Sequence, residues 1–512
     1  LRNKHPNILP KFHIHNINRI LNLNSKCLLL QYWAKRRVPH IPPHPLFGSM
    51  TFFQNENPVS HLIYKIYEPY MGIWIFWRPG LIVNSPDIAR NILIKDNANF
   101  RNRFMSSGNT DPVGSLNLVT LNDPLWSAIR KHLSVLFTSS KLRWMQKLVT
   151  EKSKELVERI DKERQKLLPI DLRKVMTDFT TDLIGTASFG IASDATLTGT
   201  SHVRVITEQF MKFSFIRGWS WICIFFIPEL VDIFRFKLFP TESIEYMRKI
   251  LQKMIAQRGG LQKKVKNSRD LLDILIKIKQ EGCKEINMTE DMMLAQAAVF
   301  FQGGFDSTGT TLSFAIYELA FYPAAQVPLQ KQNLLTKLQQ AKEKHGEKNV
   351  LNANVLLRMT YLNCVINETL RKYPITGWID RVAISDYKVD DHLMIKAGTP
   401  VYVNAVGMHY DPDYYPEPRR FNPDRFLPEN ADNIKPFTCL PFGEGPRKCI
   451  GQRIALSNIR HGLAAVVLNY EVRPLPDTPQ PSDMELDCKG LFMAPKHLLS
   501  VEFIPRTQTL LD

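Results

Sequence analysis

The chain has 512 residues, 44% hydrophobic and 22% charged, ordinary globular values that exclude wholesale disorder. Its seven cysteines are odd in number and never form a CxxC pair, which excludes a disulfide framework and a zinc ribbon and points to a reducing compartment. A formal charge of +17 suits an anionic membrane or an acidic protein; without a zinc finger, RNA-recognition signature or long Lys/Arg run, nucleic acid is not expected.

The first fifty residues carry eight Lys/Arg and no Asp or Glu. Their best apolar run, CLLLQYW (Cys27–Trp33), falls far short of the roughly 20 residues a spanning helix needs. Residues 1–35 are expected to be the stump of a membrane anchor or a mis-joined start, with an acid-poor transit peptide as the alternative. RRVPHIPPHPLFG (Arg36–Gly48) follows, held extended by its prolines as a stiff connector, and residues 36–512 are expected to form a single domain.

From about residue 58 to 375 the pattern is helical. WSWICIFFIPELVDIFRFKLFP (Trp219–Pro240) is the most apolar stretch, but Pro228, Glu229 and Asp232 break it. It reads as core, or as a surface element that dips into a bilayer or lines a substrate entrance. A long helix is predicted to follow Thr289 as N-cap and to end before Pro323. Its length of about 33 residues, at about 1.5 Å each, spans roughly 50 Å. A second helix runs through YLNCVINETLRKYP to Pro374. Short β-type runs (RVAISDYKV, TPVYVNAV) reach about residue 405, an irregular Pro-rich stretch covers Asp411–Phe442, and a last helix runs from about Gly451 to Asn469. The fold class is mostly α with a small β portion.

Ahead of that last helix stands PFGEGPRKCIG (Pro441–Gly451). Gly443 and Gly445 permit a tight reversal that turns backbone N–H groups inward. Cys449 lies just before a helix N-terminus, where the macrodipole favours an anion, and Arg447 and Lys448 add positive charge. The loop suits a thiolate. Zinc would need three more ligands, and none is spaced for it. A nucleophile would need a His base, a reading the residues leave open. A thiolate acting as the lone protein ligand points to haem iron.

FGEGPRKCIG (Phe442–Gly451) resembles the haem-binding loop of the cytochrome P450 superfamily, FxxGxRxCxG, at every fixed position. The resemblance implies a cytochrome P450 fold, with a long central helix over haem b (iron protoporphyrin IX) and a proximal cysteine loop. It makes Cys449 the iron ligand and Arg447 a partner of a haem propionate. Phe442 would lie beside the sulfur, and Gly451 would let the helix approach the porphyrin. ETLR places Glu368 and Arg371 at i, i+3 on one helix face. The family joins them to Arg425 of FNPDRF (Phe421–Phe426) as a buried brace, with Asp424 standing for the commoner Glu. WSAIR sets Trp126 and Arg130 four apart on one face, and Arg381 lies in IDRVAISDY; the family directs all three at the haem carboxylates.

FFQGGFDSTGTTLSF (Phe300–Phe314) sits mid-way along the long helix. Two adjacent glycines there cost roughly 1 kcal/mol each relative to Ala. Ser307 can bond back to the Gly303 carbonyl and Thr308 to that of Gly304, which loosens and bends the helix. The resemblance makes this a groove for O₂ and water, with Asp306 and the Ser307 or Thr308 hydroxyl as the proton route. The family motif [A/G]GxxT puts its Thr on Ser307; serine lacks the methyl that fixes the rotamer, so some reduced oxygen should be wasted.

The resemblance spans roughly residues 36–505 and is finest to the microsomal clan of insect detoxification and vertebrate drug-metabolising enzymes. It implies a haem-thiolate monooxygenase that inserts one O₂-derived atom into a lipophilic substrate, a xenobiotic or an endogenous lipid or hormone. Electrons would come from NADPH through NADPH–cytochrome P450 reductase, with cytochrome b5 as a second donor. Lys448 and Arg453 would offer the basic docking face. By analogy Phe104, Phe210, Phe300, Gly303, Trp378 and Phe492 would wall an apolar pocket, core packing being the plain alternative for each aromatic. Membrane association at the cytosolic face of the endoplasmic reticulum is expected, with the mitochondrion as the alternative. Two rivals keep the fold: a peroxide isomerase or dehydratase that needs no reductase, and a degenerate, haem-poor binding protein.

Overall fold

A computed structural model gives the structure of the protein and describes residues 28–40, 43–44, 47–49, 68–166, 168–191, 193–266, 268–282, 285–326, 351, 353–487 and 492–506. Most of the expected anchor stump, residues 1–27, lies outside them. Helix α1 (Leu28–Lys35) does not stand apart. Its Trp33 is wholly buried and donates from Nε1 to the Ile73 carbonyl at 3.0 Å, so the fold takes in residues ahead of the boundary expected at 36.

The first strands correct the helical reading of residues 58–375. β1 (Tyr70–Ile75) and β2 (Arg78–Val83) form an antiparallel hairpin. All of β1 and the last four residues of β2 are buried, so neither shows the in–out alternation of a half-buried strand. Short continuous apolar runs of this kind read equally as helix or strand. β3 (Ile379–Val382), β4 (Tyr387–Lys388), β5 (Met394–Ile395) and β6 (Pro400–Val403) fill the expected β region. β3 and β6 complete the main sheet in the order β1-β2-β6-β3, with β2 and β6 parallel. An unanticipated hairpin, β7 (Tyr470–Pro474) with β8 (Val501–Pro505), closes the C-terminal side.

Helices dominate the rest. The ones that shape the site are α2 (Leu125–Leu133), α3 (Ser139–Arg164), α4 (Leu172–Phe189), α5 (His202–Met211), α6 (Phe215–Phe226), α7 (Glu229–Phe234), α8 (Glu290–Phe321), α9 (Thr360–Lys372) and α10 (Gln452–Asn469). Pro228 separates α6 from α7, as its sequence position requires. α8 starts where the capping signal lies: Thr289 Oγ1 accepts from the Met292 N–H at 3.1 Å, and Glu290 and Asp291 complement the dipole. Buried residues surround α8 on all sides, so it is a central rod and not a surface helix. α4, α9 and α10 pack against it through one core that includes Phe179, Leu312, Leu370 and Leu463. Among the described residues no helix is long and apolar enough to cross a membrane.

Candidate active site

A cavity of about 1170 Å³ lies between the middle of α8 and the Cys449 loop. The loop is built from its backbone outward. The Cys449 N–H donates to the Phe442 carbonyl at 2.9 Å, and the Lys448 N–H to that of Gly445 at 3.0 Å. Gly445 has φ +78°, and a Cβ there would stand 1.9 Å from the Leu93 carbonyl oxygen, so glycine is required twice over. Cys449 opens onto the cavity, with Phe442 and Gly451 beside it on the same wall. The surrounding protein is dense enough that burial is the largest influence on the thiol and raises its pKa. The Gly451 N–H, Arg130 and the Gln452 N–H oppose that rise without cancelling it. A cation bound at Sγ would counter that rise. Among the described residues no three His, Cys, Asp or Glu side chains gather to hold a metal.

At one side of the cavity four arginines converge: Arg103, Arg130, Arg381 and Arg447. Arg447 stacks on the Trp126 ring at 4.0 Å and donates to the Arg101 and Leu121 carbonyls at 2.6 and 2.9 Å. Arg130 donates to the Lys448 carbonyl at 2.7 Å. Asp380 is the only carboxylate among the described lining residues, and it meets Arg103 at 3.5 Å. Nη1 of Arg447 and Nε of Arg103 and Arg381 are buried without a hydrogen bond. Burial, aggravated by Arg103 and Arg381, pushes Arg447 down to about 8, and burial with Arg103 pushes Arg381 down to about 10. Guanidinium groups do not give up protons in proteins, so this buried cluster calls for anions. Arg103 carries no motif; only the fold reveals it.

The opposite wall is α8. A Cβ on Gly303 would meet nothing within 4 Å, whereas one on Gly304 would lie 2.6 Å from the Ile184 side chain. Gly303 thus keeps the cavity open, and Gly304 lets α4 pack close. Ser307 donates to the Gly303 carbonyl at 2.6 Å, as its spacing requires. Among the described residues the matching bond from Thr308 to Gly304 is not found, and Thr308 lies on the cavity wall. Asp306 is not on that wall. It pairs with Arg173 of α4 at 3.1 Å and accepts from Thr310 at 3.2 Å, because its place on the helix turns it toward α4.

Behind the loop the Glu368–Arg371 pair of the brace is fully buried, and Arg425 partly so. Arg371 meets Glu368 through Nε at 2.7 Å and Nη2 at 2.9 Å. Arg425 Nε stands 3.5 Å from Glu368, and the Asn422 N–H donates to the same carboxylate at 2.9 Å. His409 extends the brace: Arg371 Nη1 donates to its carbonyl at 2.7 Å, and the Leu440 N–H donates to its Nε2 at 2.8 Å. Burial pushes His409 down to about 3, so it stays neutral and can accept that bond. Nothing in the spacing of GMHY marked this histidine.

Of the expected pocket aromatics, Phe300, Trp378 and Phe492 line the cavity with Gly303, and Phe137 joins them by stacking on Phe300 at 5.8 Å. Two are corrected. Phe104 lies beneath the Arg78 guanidinium at 4.7 Å, while its neighbours Arg103 and Met105 take the lining positions. Phe210 is core, stacked on Phe239 at 5.5 Å and against Phe301. Lys448 is also less free than expected, since Glu444 pairs with it at 2.7 Å; Arg453 remains exposed.

A planar dianion with a metal at its centre fits this arrangement. The lone Cys449 faces the space that Gly303 leaves, and orphaned buried guanidinium groups wait at one edge. Comparison with known proteins agrees. The family model for cytochrome P450 matches residues 39–502. Cytochrome P450 6k1 of Blattella germanica is 33% identical over 503 aligned residues, covering 93% of each chain. Cytochrome P450 6l1 of the same species is 32% identical over 486, again 93% of each. Probable cytochrome P450 6g2 of Drosophila melanogaster is 31% identical over 492, covering 91% of this chain and 92% of its own.

Proposed function

Since the chain belongs to the cytochrome P450 family and is a haem-dependent monooxygenase fed with electrons by a reductase, we propose that it oxygenates lipophilic molecules in the cavity between Cys449 and α8. The observation that carries this reading is the lone Cys449 opposite Gly303, with four arginines and one carboxylate at the edge. Haem b, when bound, supplies the iron chemistry that activates O₂. Cys449 Sγ would hold the iron as thiolate. Arg447, Arg381 and Arg130, with Arg103 beside them, would take the carboxylates, and Trp126 holds Arg447 flat by stacking. Phe442 and Gly451 would flank the sulfur, and Glu368, Arg371, Arg425 and His409 brace the loop from behind.

The hydroxyls of Ser307 and Thr308 would hold and move a proton at the cavity wall. Ser307 donates to the Gly303 carbonyl and keeps its lone pairs as acceptors. Asp306 would join only by exchanging Arg173 for water or for a hydroxyl. Phe300, Trp378 and Phe492 would exclude water and favour apolar substrates, which supports lipophilic xenobiotics or endogenous lipids as the substrate class. NADPH–cytochrome P450 reductase would dock near Arg453, with cytochrome b5 as an alternative donor. Phe215, Ile216, Ile233 and Phe234, between 60% and 75% exposed, would rest on a lipid surface, the endoplasmic reticulum membrane being the natural one.

One spectrum tests the assignment. The reduced, CO-treated holoprotein should absorb at about 450 nm, the mark of thiolate ligation, and Cys449→Ala should abolish that band. A band that survives in the folded variant would remove Cys449 from the iron.

A further inference from the structure

α6 roofs the cavity, with Trp219, Ile222, Ile224 and Phe226 lining it, and α7 follows across Pro228. The adjoining wall is formed by Arg103 and Met105, at the start of the segment that runs on to Asp111. Helices and segment meet along a seam of hydrogen bonds, buried at one end and exposed at the other. The Ser106 N–H donates to the Ile224 carbonyl at 3.0 Å, and the Leu238 N–H to Asp111 at 2.8 Å.

The densest point of the seam is one carboxylate. Asp232 of α7 accepts from the N–H groups of Asn109 and Thr110 at 2.7 and 2.8 Å, from Thr110 Oγ1 at 3.0 Å and from Asn109 Nδ2 at 3.4 Å. Gly108 has φ +68°, and a Cβ there would stand 2.3 Å from Asp232 Oδ1. The turn is thus shaped to receive an acid, as successive N–H groups beside a left-handed residue are. Three residues earlier on α7, Glu229 pairs with Arg78 of β2. The other side of α7 is bare: Ile233 and Phe234 are 69% and 60% exposed. At the start of α6, Phe213 and Phe215 both line the cavity and are exposed, so the cavity meets the surface there. Ile224 and Val231 anchor α6 and α7 in the core, whereas the Asp232 hydrogen bonds are exposed, and exposed hydrogen bonds are where structures open first.

We propose that Asp232, seated in the 108–110 turn and assisted by Glu229 on Arg78, is the latch that sets how far the α6–α7 roof opens, and so which molecules reach the cavity. Asp232 is a positioning residue: it touches no substrate and acts through the roof. The proposal rests on the cavity being the oxygenation site.

The test uses the holoprotein and two azoles that bind haem iron and shift its Soret band, bulky N-tritylimidazole and small imidazole, in a rapid-mixing experiment. Asp232→Ala should raise the association and dissociation rates of N-tritylimidazole together by about three- to tenfold, as a shift in the open population requires. The ratio of those rates, and the rates for imidazole, should hardly change. Asp232→Asn keeps an acceptor oxygen for the two backbone N–H groups and should fall between; it also serves if the alanine variant loses its CO band. Faster dissociation alone would mean a damaged pocket and would overturn the latch. Equal acceleration of imidazole, or an unchanged N-tritylimidazole association rate in a variant with full CO band, would overturn it too. Absence of the CO band from the unmodified protein would instead defeat the haem reading beneath.

Discussion

A methyl group separates Ser307 from the threonine that its family motif carries. Both side chains can donate to the carbonyl four residues back, and Ser307 does so at 2.6 Å. A threonine's methyl restricts χ1 to fewer wells, whereas serine samples more and holds its hydroxyl over the cavity for less of the time. A preference of about 0.5 kcal/mol in that equilibrium changes the productive population roughly twofold. Ser307→Thr should therefore lower the hydrogen peroxide released per NADPH consumed by about that factor, measured in a reconstituted system with reductase. Thr308 is the control. It lines the same cavity wall, so if Thr308→Val alone raises peroxide and Ser307→Thr changes nothing, the relay runs through Thr308.

Along α8 two neighbouring glycines do opposite work, and alanine separates them. Gly304→Ala places a methyl 2.6 Å from the Ile184 side chain, and overpacking of this kind costs about 1–3 kcal/mol. Gly303→Ala meets nothing, removes a mid-helix glycine and should stabilise the protein by about 0.5–1 kcal/mol. It should also intrude on the space facing Cys449. Thermal melts of the CO-competent variants should therefore move in opposite directions, with the more stable one the poorer in binding bulky azoles. The glycines, like the ends of α8, were legible in sequence because caps, prolines and spacing act locally. β1 and β2 were not, since burial on both faces erased their alternation. Phe210 and Phe300 are alike in sequence, both aromatics on helices; only packing puts one in the core and the other on the cavity wall. His409 and Arg103 draw their roles from partners far along the chain, which no local pattern records.

For the whole molecule the most consequential charge is not the surface excess but the cluster at Arg103, Arg381 and Arg447. Taking cations out of water without partners is costly, and here one buried carboxylate faces four arginines. The folded chain is thus matched to a bound dianion and mismatched without it, and haem binding and folding must be coupled. This predicts a reversal of sign. Arg381, almost wholly buried, has one hydrogen bond, from Nη1 to the Asp380 carbonyl, and an orphaned Nε. Replacing it with an apolar side chain of similar length should remove the desolvation penalty in haem-free protein. Arg381→Met should stabilise the haem-free form by about 1–4 kcal/mol, the range seen when buried charges give way to packed apolar groups. The same change should destabilise the haem-loaded form and speed haem loss to an excess of apomyoglobin. Calorimetry of both forms side by side reads the two signs. If Arg381→Met weakens the haem-free form as well, the cluster is satisfied by the protein alone and its assignment to the haem carboxylates fails.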